Sequence, residues 1–139
     1  MAKTVTFHAK DVLGKDFTVI DSNKNIKLVS KGMRNLLDDI DKYETKHAKE
    51  NKPVTVMDYI DLTNSRVITE TGKLLGLNKA DTEKLEDMSY SDVYEFYSNV
   101  ADKFLDMKVP NAKYFQSGID AMNNAALGEE KDPKSKEDN

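Results

Sequence analysis

The sequence contains no cysteine. That excludes disulfides, thiolate metal sites and a thiol nucleophile, and it fits a reducing compartment such as the cytosol. Histidine occurs only at His8 and His47, one in a predicted strand and one at a predicted helix end, so a metal centre has few nitrogen ligands to draw on. Arginine occurs only at Arg34 and Arg66, lysine is scattered rather than clustered, and the formal net charge is −4. A protein that grips a phosphate backbone needs a positive field, so nucleic acid is not an expected partner. No stretch approaches the ~20 apolar residues of a membrane span. Met1 to His8 lacks the apolar run of a signal peptide, and no membrane partner is expected either. Gly14-Lys15 and Gly72-Lys73 lack the spacing and the following hydroxyl of a phosphate loop. No Gly-x-Ser-x-Gly elbow and no dinucleotide-binding glycine pattern occur. Asp21-x-Asn23-x-Asn25 opens like a calcium loop, but Ile26 stands where glycine is needed and Gly32 where the glutamate is needed. Without a catalytic constellation, no enzyme is expected and no cofactor is implied.

What is present is a chain of 139 residues, 38% hydrophobic and 33% charged. That is one domain with an economical core, some of whose apolar surface is left for a partner or another copy to complete. Val5 and Phe7 alternate with Thr4 and Thr6, which predicts a short half-buried strand. Phe17-Thr-Val-Ile20 predicts a second strand. Asp21-Ser-Asn-Lys-Asn25 carries turn chemistry, and Ile26-Lys-Leu-Val29 then predicts a third. The expected fold is α+β and predominantly α. A small antiparallel β segment over residues 1–30 precedes a bundle of about five helices over 31–128, together one domain. Residues 129–139 have no apolar side chain and predict a disordered, charged tail.

Ser30 is placed to cap the first long helix, in which Met33, Leu36, Leu37, Ile40, Tyr43 and His47 follow helical spacing until Asn51-Lys-Pro53 stops it. Thr55 or Asp58 caps a second helix reaching Leu75, with Gly76 as its C-cap. This helix is rich in threonine and polar residues, so packing has to hold it. Asn78 caps a short third helix to about Asp87. Ser89 or Ser91 opens a fourth, Ser89 having the box-like spacing to Asp92. Tyr114, Phe115, Ile119, Met122 and Ala126 trace the last, ending at Gly128.

The fourth helix organises the rest. Val93, Tyr97, Val100 and Phe104 share one face, Phe96 widens it, and Tyr94, Ala101 and Leu105 form a second row. So broad an apolar surface needs neighbours on more than one side. Val93, Phe96, Val100 and Phe104 are the predicted core. The second row either packs against the last helix or forms a groove for a partner helix.

Three segments carry a family resemblance. They are Leu74-Leu-Gly-Leu77, then Thr82-Glu-Lys-Leu-Glu-Asp-Met-Ser89, then Val93-Tyr-Glu-Phe-Tyr-x-x-Val100-x-x-Lys-Phe-Leu105. Together with the extended N-terminal segment and charged tail, over roughly residues 1–128, this layout resembles the tail assembly chaperones of long-tailed bacteriophages, especially those of Gram-positive hosts. The resemblance implies a non-enzymatic chaperone that binds the tape measure protein, keeps it soluble and helps recruit tail tube subunits. It implies a longer frameshifted form that contacts the tube protein, self-association, a place in the host cytoplasm and absence from the mature virion. A connector that stays in the phage tail, or a small nucleic-acid-binding regulator, are the alternatives. On that reading the partner-binding candidates are Tyr94, Tyr97, Ala101 and Leu105 on the fourth helix. Tyr114, Gly118, Ala121 and Ala125 on the last are the others, where small side chains permit close helix approach. Leu105→Asp is expected to weaken partner binding while leaving the fold partly intact.

Overall fold

The structure is a computed structural model; it describes residues 1–130, with side chains through residue 125. Two strands open the chain. β1 (Thr4–Phe7) pairs antiparallel with β2 (Phe17–Ile20), in a register that sets Val5 opposite Val19 and Phe7 opposite Phe17. Strand alternation turns these four toward the core, and Phe7 and Val19 are buried. On the outer face the hydroxyls of Thr6 and Thr18 lie 3.1 Å apart. The connection is one helical turn, α1 (Lys10–Leu13), closed by Gly14 at φ 84°, a conformation that costs glycine little. Asp16 reaches back to accept the backbone N–H groups of Ala9 and Lys10 at 3.1 and 3.2 Å.

The expected third strand is helix. α2 runs from Asn23 to Lys49, and Ser22, not Ser30, caps it, its hydroxyl accepting the Asn25 N–H at 3.2 Å. The β-rich segment therefore ends near residue 20, and the sheet has two strands. Ile26, Val29, Met33 and Leu36 continue one helical stripe, so the apolar run Ile26–Val29 shares the helical period of Met33 and Leu36.

The remaining boundaries fall close to those expected. α3 (Val56–Leu75) is capped by Thr55 and closed by Gly76 at φ 70°. α4 (Lys79–Lys84) is capped by Asn78 and runs into a 3-10 turn, Leu85–Asp87. α5 (Tyr90–Leu105) is capped by Ser89, whose hydroxyl accepts the Asp92 N–H at 3.2 Å. α6 spans Ala112–Glu130. Asn111 accepts the Tyr114 N–H at 2.8 Å at its start, and it passes through Gly128, two residues beyond the expected end. Of the predicted disordered tail, residues 131–139 lie outside the described residues.

α5 is the helix that touches α2, α3 and the sheet together. Val93, Phe96, Tyr97, Val100 and Ala101 are buried, and Phe104 is half-buried against the same cluster. The ring of Phe96 meets that of Phe7 at 4.6 Å between centroids. Each such aliphatic or aromatic side chain contributes about 1.5–3 kcal/mol by leaving water. A reciprocal clasp reinforces the contact: Lys3 Nζ donates to the Lys103 carbonyl at 3.2 Å, and Lys103 Nζ donates to the Thr4 carbonyl at 2.9 Å.

The α2–α3 interface is held by charge as well as by apolar packing. Arg66 grips Asp39 through two hydrogen bonds of 2.7 and 3.1 Å and donates to Glu70 at 3.1 Å. Glu70, only 3% exposed, also accepts from Asn35 at 3.0 Å. The hydrogen bonds it donates to Asp39 raise the Arg66 guanidinium above its ordinary range, outweighing the opposing effect of its loss of water. Gly32 lies against this cluster, because a Cβ there would collide with the Tyr97 hydroxyl and crowd Glu70.

Candidate partner-docking groove

α2 carries two apolar rows. One, through Val29, Met33 and Leu36, is buried. The other, Leu37, Ile40 and Ala48 with Glu44 among them, turns toward α6. α6 arrives from Pro110 and seats Phe115 flat on Tyr59, with ring centroids 4.3 Å apart and planes 7° apart. Beyond that anchor, Ile119 is half-buried while Gly118, Ala121, Met122 and Ala125 are exposed. A channel is left between α2 and α6.

Two clefts of about 490 Å³ each make up this channel. Glu44, Tyr59, Ile119 and Met122 line both, so they join into one trough. Pro110 and Leu37 close one end, and Pro53 and Val54 the other. Leu37, Tyr114 and Met122 remain 51%, 66% and 54% exposed. Large apolar side chains gathered on one face are the usual mark of a docking surface.

The polar groups of the trough are few. The Tyr59 hydroxyl donates to Glu44 Oε2 at 2.6 Å. Burial first, then the Glu44 carboxylate, push that phenol well above the usual tyrosine range. Tyr43, edge-on to Tyr59 at 5.0 Å, donates to Asp58 and accepts the Thr55 N–H, both at 2.9 Å. These bonds fix the start of α3 against α2 and hold the floor of the trough rigid.

The residues singled out from the sequence divide between two environments. Tyr97 and Ala101 are fully buried at 1% and 0% exposure, so they belong to the core and offer no surface to a partner. The broad apolar face of α5 is consumed by α2, α3 and β1 together. Leu105 is half-buried against the same core. Tyr94 is half-buried too, and its hydroxyl donates to the Val109 and Pro110 carbonyls at 2.7 and 3.2 Å. That row is therefore packed on the link leading into α6. Tyr114, Gly118, Ala121 and Ala125 are exposed on α6, with Tyr114 and Gly118 at the trough itself. Leu37, Ile40, Glu44 and Tyr59 are not among the partner-binding residues that the sequence suggests. The available signal is Leu37 beside Leu36, which gives α2 one apolar row more than its core contact needs.

A second concavity gathers His8, Asp11, Asp16, Asp87 and Asp92. His8 Nδ1 lies 3.4 Å from Asp16 Oδ2, and this contact leads in holding the Asp16 carboxyl below the usual range. Among the described residues no three His, Cys, Asp or Glu side chains stand close enough to hold a metal ion. No described helix is long and apolar enough to cross a membrane. Set against known proteins, the chain matches no protein-family model, no curated sequence and no solved structure.

Proposed function

We propose that this chain is a tail assembly chaperone of a long-tailed bacteriophage, which holds helical segments of the tape measure protein in the α2–α6 trough. The observation that carries the reading is the trough itself: an open, mostly apolar channel between two helices, with a rigid aromatic floor and three large apolar side chains left uncovered. Helix-in-groove recognition uses such a surface. A tape measure is a long helical chain with apolar patches, which aggregates when bare. Many copies bound along it would act together through avidity, and the net charge of −4 favours solubility of the assembly. The role is non-enzymatic. Tube subunits are recruited through a longer frameshifted form, and copies associate with one another along the tape measure. The chaperone acts in the host cytoplasm and leaves before the virion matures.

Co-expression with the tape measure protein tests this. The expected result is a soluble tape measure that co-purifies with the wild-type chain and is lost to the pellet with Met122→Asp. A tape measure equally soluble alone, with no co-purification, sinks the reading. Presence of the chain in purified virions would favour a connector instead.

A further inference from the structure

Among the described residues, Glu44 is the one carboxylate that lines the trough, and it stands near the middle. It lies seven residues after Leu37 and four before Ala48 on the same wall. Tyr59 engages one of its oxygens. Among the described residues no lysine, arginine or histidine forms an ion pair with it. Lys52, at the far end, is turned to Glu50 at 3.2 Å. A carboxylate covered by an apolar partner loses water without compensation, which is costly. A partner that brings a cation to this point removes the penalty and gains a charge-assisted hydrogen bond.

We infer that the trough takes an amphipathic helix of about three turns whose apolar stripe carries a lysine or arginine at its middle, anchored on Glu44. The inference rests on the helix-docking reading above and names the chemistry of the segment docked. The length is set by the wall: Leu37 to Ala48 covers ~16 Å at 1.5 Å per residue. Charge selects the occupant. Residues 131–139 contain none of the large apolar side chains that an apolar stripe requires. Among the described residues, a second copy offers exposed apolar side chains on its own α2 and α6. Its α2 face would set Glu44 against Glu44. Its α6 brings no cation to the middle of the stripe, because Lys113 lies in the first turn and Asp120 is the only other charge before Gly128. A helix from a different protein, with a basic residue between apolar neighbours, fits the sign of the site. The same carboxylate rejects acidic stripes, so it acts through repulsion as well as attraction.

The test uses two synthetic helical peptides of about three turns, identical except for lysine or glutamate at the centre of a leucine stripe. Fluorescence anisotropy reads their binding to the full chain. The lysine peptide is expected to bind about tenfold more tightly than the glutamate peptide. Glu44→Gln, which keeps an acceptor for Tyr59, should reduce that ratio toward one, and Glu44→Lys should invert it. Circular dichroism checks that both variants remain folded. If both peptides bind wild type and Glu44→Lys with the same preference, the anchor is refuted and helix docking stands. If neither peptide binds and the chain is a dimer that Met122→Asp makes monomeric, a second copy occupies the trough and the inference fails. Failure of both peptides with a monomeric chain also overturns it. Charge-dependent peptide binding without rescue of the tape measure protein retains the anchor and removes the chaperone role.

Discussion

Phe115 lies flat on Tyr59, and this stack is what seats α6 on the body of the protein. Past Phe115, only Ile119 among the described side chains of α6 is even half-buried. Phe115→Ala is therefore expected to release α6 while the core stays closed. About 2–3 kcal/mol of local stability is lost, a value reduced from the usual phenylalanine-to-alanine range because the site is peripheral. Hydrogen exchange should accelerate over residues 112–125 with little change in α3 and α5. A cooperative loss of protection throughout would show that α6 is integral to the core.

The trough and the α5 row make opposite predictions. Met122→Asp places a charge on exposed surface and should abolish partner binding with a change in stability within about 0.5 kcal/mol. Leu105→Asp places one among core contacts and should instead lower stability by more than 2 kcal/mol, roughly. That outcome reverses the expectation from spacing alone. Denaturant melts of both variants decide it.

Most helix starts and stops are legible in the sequence because one side chain causes each. Thr55, Asn78 and Ser89 each accept the N–H three residues on, and Gly76 takes the left-handed conformation that ends α3. The error at α2 has the same origin. Asp21-Ser-Asn-Lys-Asn25 suits a turn and a helix start equally, since both use a short polar side chain bonding to nearby backbone. A four-residue apolar run such as Ile26–Val29 does not declare its period until Met33 and Leu36 are counted with it. The candidate docking surface is half legible. Exposed positions on α6 can be picked out by spacing, but the opposing wall depends on which of two adjacent leucines faces inward, and that is set by α3 rather than by α2.

Gly32 and Tyr97 form a testable pair. Gly32→Ala should destabilise by about 1–3 kcal/mol through overlap with the Tyr97 hydroxyl. That hydroxyl is buried without a hydrogen-bond partner among the described residues, so Tyr97→Phe should be neutral or stabilising by about 1 kcal/mol. The double variant should recover most of the loss. A thermodynamic cycle with no coupling between the positions would refute the contact.

Arg66 serves two carboxylates, one of them buried. Arg66→Ala is expected to cost roughly 3 kcal/mol, since it leaves buried Glu70 with only the half-exposed Lys73, 3.5 Å away, as a cationic partner. Pairing Arg66→Met with Glu70→Leu should restore much of that, because the desolvated charge is removed as well. Urea denaturation of the single and paired variants measures both effects.

Alkaline pH tests the phenols. Tyr59 and Tyr97 are both raised from the ordinary 10.0, in each case chiefly by burial. A raised acid favours its protonated form in the folded chain, so this stabilisation is complete below about pH 10 and declines as pH rises beyond it, where the unfolded chain releases those protons first. Phenolate absorbance of these two side chains should appear together with unfolding. Their free titration near pH 10 in a folded chain would contradict their burial.

The clasp between Lys3 and Lys103 ties residues 100 positions apart, and Phe7 finds Phe96 across nearly the same separation. β1 therefore leaves the ribosome well before the helix that covers it, α5. At ~5–20 residues per second, that interval is about 5–20 s. Throughout it the nascent hairpin carries an uncovered Phe7, and a protein proposed to shelter another chain is itself unsheltered until α5 emerges.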